Sequence, residues 1–258
     1  MMSIERYELT DVQWNQIKNL FPEYHTGRPP KSNRIMFNAV LWIARSGAAW
    51  RDLPKERYGS WKTVYSRFCL WRDTGLLESL FITLNYEADY ENLSIDSTVV
   101  TAHQQSAGVK KGGLNSVISQ HIGKSSGGHT TKIHVIVDGL GNPLYFQLSG
   151  GNLHDSVLAI EVLQHVEIQG SNVIGDRAYG SLDIRTYVTN HDATYTIPPK
   201  KNTKEPWTVD WWLYKERHLV ECFFNKLKHF RHIATRYDKL ATSYLAFVYI
   251  AAIFLLTK

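Results

Sequence analysis

The 258-residue sequence predicts an α/β domain with a mixed sheet and flanking helices over residues 86–258, preceded by a small all-α unit over residues 1–85. Three observations carry this division. Through the first 85 residues apolar side chains recur at helical spacing between capping and stop signals. From Leu93 the pattern changes to the β-rich alternation of strands. After residue 154 helical and strand-like segments alternate, which adds parallel crossovers to the sheet.

The helical unit reads as follows. Thr10 with Gln13 three residues later forms a capping box, Trp14, Ile17 and Phe21 share one face, and Pro22 stops the first helix. Beyond the stiff turn Gly27-Arg28-Pro29-Pro30, Ser32 caps a second helix over 33–46 and Gly47 suits its C-terminal stop. A third helix runs from Ser60 to Thr74, with Trp61, Val64, Tyr65, Phe68 and Trp71 on its apolar face and Lys62, Arg67 and Arg72 off it. Three short helices with a basic third one read either as a helix-turn-helix unit that places this helix in a DNA groove, or as a small bundle whose charges are solvated.

The strands Leu93 to Val100, Thr131 to Asp138 and Leu144 to Leu148 predict an antiparallel meander. The loop 104–130 between the first two is basic, glycine-rich and free of carboxylates. With Lys110, Lys111 and Lys124, it has the composition of a segment that orders on a phosphate backbone. A helix over 154–166, a strand over 172–175 leading to Asp176, a helix over 181–190 and a strand over 194–197 follow. This β-β-β-α-β-α-β order is that of the ribonuclease H-like fold. Two further helices, over 209–231 and 243–256, close the chain. The uncharged stretch from Leu245 to Leu256 falls short of the roughly 20 residues a bilayer crossing needs, so it predicts a buried core helix and no membrane span.

Hydrophobic residues at 43% and charged residues at 21% exclude wholesale disorder and fibrous classes, and two cysteines exclude a disulfide framework or a multi-thiolate zinc site. With no apolar segment behind a basic start, the expectation is a cytoplasmic protein. The net charge of +5 is unevenly placed: the balances over 1–85, 86–101, 102–132, 133–199 and 200–258 are +4, −4, +4, −5 and +6. Basic segments flanking acidic ones fit a polyanion held around a carboxylate site that binds metal, and chance segmentation would also produce them.

Three carboxylates fall where such a fold would gather them: Asp96 in the first strand, Asp176 at the end of the fourth, and Glu221 on the long late helix. Strands disfavour Asp, so Asp96 needs a reason, and ligation of a hard cation is one. Asp176 reads equally as a turn residue before Arg177. Counted at 100° per residue, Tyr214, Arg217, Glu221 and Lys228 lie on one stripe roughly 60° wide. A metal-binding Glu flanked by cations that reach phosphates would use this stripe; an Arg217–Glu221 salt bridge is the plainer reading. His154 and Asp155 open the first crossover helix, as support close to the metals or with Asp155 as an N-cap. His103, just past the first strand, faces either DNA or solvent.

The spacing Tyr214, Arg217, Glu221, Lys228 resembles the signature helix of DDE transposases from bacterial insertion sequences. Gly27-Arg28-Pro29-Pro30, Trp50-Arg51-Asp52-Leu53-Pro54, Ile95-Asp96-Ser97-Thr98, Gly127-Gly128-His129-Thr130-Thr131-Lys132 and Gly175-Asp176-Arg177-Ala178-Tyr179 resemble the insertion sequence five group. The resemblance implies a ribonuclease H-like core in which Asp96, Asp176 and Glu221 hold two Mg2+ or Mn2+ ions, cleavage at transposon ends, and strand transfer by the freed 3′-hydroxyl. It implies double-stranded DNA as partner, both terminal inverted repeats and target, and a homodimer or higher multimer on that DNA. Tyr214, Arg217, Lys228, Lys132, Lys110, Lys111, Lys124, Lys62, Arg67 and Arg72 are then the expected DNA contacts. A related nuclease that cuts without joining, and a non-catalytic DNA-binding regulator, are the alternatives; three acidic positions on suitable elements count against the latter.

Overall fold

The structure, a computed structural model, describes residues 7–23, 31–106 and 120–257. Its helices are α1 (Asp11–Ile17), α2 (Asn33–Ser46), α3 (Lys55–Tyr58), α4 (Trp61–Asp73), α5 (Leu76–Leu84), α6 (Ala159–Leu163), α7 (Leu182–Asn190), α8 (His218–Lys228), α9 (Arg231–Ala234) and α10 (Ala241–Leu256). Its main strands are β1 (Asn92–Ala102), β2 (Gly123–Ser125), β3 (Gly128–Val137), β4 (Pro143–Gly150), β5 (Asn172–Ile174) and β6 (Thr194–Thr196). They form two compact units. One gathers the described residues up to Tyr86 with those from Leu227 onward; the other runs from Glu87 to Lys226.

The first unit is all helical. Thr10 and Gln13 form the expected capping box on α1, and Gly47 closes α2 in the left-handed region at φ 69°. An ideal Cβ at Gly47 would stand 2.9 Å from Arg231 Cβ, so both backbone and space call for glycine there. The expected boundary at residue 86 omits a partner of these helices. α10 is apolar around its whole circumference and must be covered on every side. It packs on α2, α4 and α5: the Phe247 ring lies 4.7 Å from Phe68 and 5.9 Å from Trp50, and Tyr249 lies 5.3 Å from Phe81. Residues 227–257 therefore group with the N-terminal helices, where the sequence predicts a second domain over 86–258. Among the described residues no helix is long and apolar enough to cross a membrane.

The second unit is a mixed sheet. β1 pairs antiparallel with β3, whose other edge carries the short β2 and then β4, while β5 and β6 continue parallel on the far side of β1. A meander extended by two parallel strands is the ribonuclease H-like arrangement. Register sorts the faces. Ile95 pairs with Ile136, which pairs with Tyr145, and this face packs against α6 and α7 through Leu163, Ile184 and Val188. Asp96, Val135 and Phe146 align on the opposite face, where the Phe146 ring meets Phe223 of α8 at 5.8 Å. The expected loop 104–130 is shorter than its composition suggested, since 123–125 and 128–130 are strand; residues 107–119, with Lys110 and Lys111, lie outside the described residues.

Two helices differ from expectation. The segment 154–166 is a 3-10 turn, Asp155–Val157, followed by the five-residue α6. The segment 209–231 opens on the Asp210 side chain, which accepts from the Trp212 and Leu213 amides at 2.9 and 3.0 Å, and passes through a 3-10 stretch, Leu213–Arg217, before α8. At Phe230 the backbone is extended, which separates α8 from α9.

His134 on β3 is buried with Nε2 2.8 Å from Ser149 Oγ, and burial pushes its pKa down to about 4. The folded chain keeps it neutral where an unfolded one protonates near 6.5. Its contribution is complete above pH 6.5 and is lost as pH falls toward 4, a change of about 3 kcal/mol. Urea unfolding at stepped pH should show His134→Gln with a flatter acid slope across that window; an unchanged slope would remove His134 as the cause.

Candidate active site

The parallel register of β1 and β5 brings the first two carboxylates together. Ser94 pairs with Ile174, the last residue of β5, so two residues further along the chain from each stand Asp96, still in β1, and Asp176, just past the end of β5. Asp96 is largely buried; its Oδ1 accepts from the Ser97 amide at 2.7 Å and its Oδ2 from Arg217 Nη1 at 3.0 Å. Burial pushes the Asp96 carboxyl up to about 6, and the neighbouring charges of Asp176 and Asp155 act in the same direction, against the Ser97 amide and Arg217. Asp176 caps the 3-10 turn Arg177–Tyr179, accepting from the Ala178 amide at 2.7 Å. Its turn role and its place beside Asp96 thus coexist.

Glu221, half exposed on α8, completes the set through Arg217. One guanidinium nitrogen of Arg217 donates to Asp96 and another to Glu221, so the sequence-expected i,i+4 bridge is present and extends to the sheet. Burial works against the Arg217 charge, but Glu221 and Asp96 outweigh it and raise its pKa. With this guanidinium seated between two of the carboxylates, no three His, Cys, Asp or Glu side chains among the described residues are drawn together closely enough to hold a metal ion. The donor set itself, carboxylate oxygens without thiolate or imidazole, suits a hard divalent cation.

Asp155 is not a helix cap. His154 holds that position, its Nδ1 accepting from the Ser156 amide, while its side chain is exposed. The Asp155 Oδ1 instead accepts from Ser97 Oγ at 2.5 Å and from Lys132 Nζ at 2.8 Å. Burial disfavours this carboxylate, but the two hydrogen bonds win and lower its pKa. Tyr179 is fully buried close to the charges of Asp96, Asp155 and Asp176, and burial raises its pKa well above the ordinary value. Sequence reading missed Ser97 and Tyr179, although both lie in the motifs that carry Asp96 and Asp176.

The expected DNA contacts divide. Lys62, Lys124 and Lys228 are exposed. The Lys132 ammonium is engaged within the fold, donating to Asp155 at 2.8 Å and to the Leu153 carbonyl at 2.7 Å. Arg67 donates to Asn33 at 2.8 Å, and Arg72 to Asp73 and Ser243 at 2.7 Å each, so the third helix offers less basic surface than its composition implied. Tyr214 is half-buried, edge-on to Trp211 at 5.6 Å and 5.9 Å from the Arg217 guanidinium. Of the stripe drawn from Tyr214 to Lys228, Tyr214 and Arg217 lie in the 3-10 stretch and Glu221 and Lys228 in α8, so it spans two helical segments rather than one α-helix. His103 is exposed, its Nδ1 accepting from the Gln105 amide at 3.3 Å.

A carboxylate on β1, a second just past the end of the parallel β5 and a third on α8 make up the candidate phosphoryl-transfer site. A model of the transposase DDE domain matches residues 87–206, which include Asp96 and Asp176 and stop short of Glu221. A model for transposases of the IS4/5 family matches residues 9–81. A protein of Brucella ovis named as a transposase for insertion sequence element IS6501 is 41% identical over 123 residues, 47% of this chain and 94% of that protein. An uncharacterized protein of Sinorhizobium fredii is 45% identical over 105 residues, 40% of this chain and 83% of that protein. The piggyBac transposase in its synaptic complex with hairpin DNA superposes with a TM-score of 0.46 at 10% identity, over 93% of this chain and 69% of that one. The chain belongs to the insertion-sequence DDE transposases, in the IS4/5 family.

Proposed function

We propose that this transposase binds the terminal inverted repeats of its own insertion sequence, cleaves the DNA there and joins the freed 3′-hydroxyl to target DNA, with Asp96, Asp176 and Glu221 as the catalytic carboxylates. The observation that carries this is the placement of Asp96 on β1 beside Asp176, just past the end of the parallel β5, with Glu221 tied to Asp96 through one guanidinium. The three carboxylates would hold two divalent cations, Mg2+ or Mn2+, which supply charge neutralisation at the scissile phosphate and activation of the attacking oxygen. The chain's own contribution is placement. The Ser97 and Ala178 amides fix the carboxylates of Asp96 and Asp176, and Arg217 holds Glu221 toward the sheet. Lys62, Lys124 and Lys228 offer exposed ammonium groups to the DNA backbone, with no sequence information of their own.

The test is cleavage of duplexes carrying the DNA that flanks its own coding sequence, with Mg2+ or Mn2+. Nicking at the element boundary followed by joining to a target supports the reading. Cutting without joining would leave a nuclease, and specific binding without cutting a regulator. Lys228→Ala should weaken DNA binding and reduce the salt slope by about one phosphate contact. An unchanged slope would assign Lys228 to helix packing.

A further inference from the structure

Behind Asp96 runs a continuous chain of hydrogen bonds that the three-carboxylate reading does not use. The Ser97 amide donates to Asp96 Oδ1 at 2.7 Å, and the Ser97 hydroxyl donates to Asp155 Oδ1 at 2.5 Å. Lys132 Nζ donates to the same oxygen at 2.8 Å and to the Leu153 carbonyl at 2.7 Å. The links come from three separate places in the fold: β1, the turn after β4, and β3. The Lys132 side chain is only 11% exposed and that of Asp155 26%, so neither group is an ordinary surface charge.

This arrangement is more specific than a staple between strands requires. β1 and β3 are already held by backbone pairs from Ser94–Val137 to Thr101–Thr130, so register needs no side-chain ion pair. The pair instead fixes Ser97, and the Ser97 backbone amide holds the Asp96 carboxylate. Hydrogen bonds behind a liganding carboxylate set its orientation, and removing one commonly lowers metal affinity about 10- to 100-fold.

We propose that Ser97, Asp155 and Lys132 are positioning residues that orient the Asp96 carboxylate for cation binding, with Lys132 serving as the counter-charge of Asp155 rather than as a DNA contact. The proposal rests on the reading of Asp96 as a metal ligand. Mutual dependence follows from the geometry. Without Asp155 the Ser97 hydroxyl loses its acceptor; without Lys132 the Asp155 carboxylate is left in a partly buried place without its cation.

The experiment is Mn2+ binding to the full chain without DNA, followed by the electron paramagnetic resonance of free Mn2+, for the parent and the variants Ser97→Ala, Ser97→Thr, Asp155→Ala and Asp96→Asn. Ser97→Ala and Asp155→Ala should weaken Mn2+ binding by about tenfold or more, and Ser97→Thr, which restores a hydroxyl, should recover most of the loss. Ser97→Ala removes one oxygen and keeps the strand, so it decides the matter even if Asp155→Ala does not fold. Parental affinity in folded Ser97→Ala, with Asp96→Asn strongly weakened, would overturn the relay and leave the carboxylate site standing. Parental affinity in Asp96→Asn would overturn the metal reading, and the relay with it.

Discussion

Asp96→Asn, Asp176→Asn and Glu221→Gln should each cut the single-turnover cleavage rate by about a thousandfold or more while DNA affinity stays near that of the parent. Charge stabilisation by a correctly held cation is worth several kcal/mol, and each 1.36 kcal/mol is a factor of ten. The amides keep the size of the side chains and remove the negative charge, which separates lost chemistry from lost folding. Asp96 is the most exposed to this change, because its charge already sits in a buried place beside two other carboxylates. Glu221 is the most informative, because it lies beyond the residues that the DDE-domain model matches. A Glu221→Gln variant that cleaves at near the parental rate would move the third ligand elsewhere. Binding is measured separately, by titration of labelled terminal DNA, since the lysines that face solvent are different groups from the carboxylates.

Much of this site was legible in the sequence because the sheet translates linear position into spatial position. An Asp in the middle of a strand, and another just past the end of the parallel strand beside it, need only the register to become neighbours. The capping box at Thr10 and the glycine stop at Gly47 were legible for the same reason: they are local. What sequence did not reveal depends on partners far apart along the chain. The apolar pattern of α10 announces that it must be buried but not against what, and the Phe68–Phe247 contact spans the whole of the intervening sheet domain in sequence. Lys132, Arg67 and Arg72 look like phosphate ligands in composition because a basic side chain carries no mark of whether it is paired. Each is bound to Asp155, Asn33 or Ser243, residues 23, 34 and 171 positions away. Tyr214 and Arg217 sit in a 3-10 stretch ahead of α8, a departure from one continuous α-helix that residue spacing alone does not announce.

Arg217→Ala should slow the chemical step about a hundredfold, the upper end of what support behind a metal ligand usually costs, with little change in DNA affinity or its salt slope. The guanidinium bonds two carboxylates at once, a fork that a single ammonium cannot reproduce, so Arg217→Lys should recover only part of the rate. Loss of this cation also changes the electrostatics in a definite direction. Arg217 favours the ionised form of Asp96, against burial and the charges of Asp176 and Asp155. Its removal raises the Asp96 pKa further, and the acid limb of the pH–rate profile should therefore move to higher pH. Lys228→Ala supplies the contrast: as an exposed backbone contact it should alter the salt slope and leave both the limiting rate and the acid limb in place. Single-turnover rates at saturating DNA, measured from acid to neutral pH, distinguish these outcomes. A reduced salt slope in Arg217→Ala, with an unchanged rate once DNA is saturating, would reassign the guanidinium to a phosphate and remove it from the support of Asp96 and Glu221.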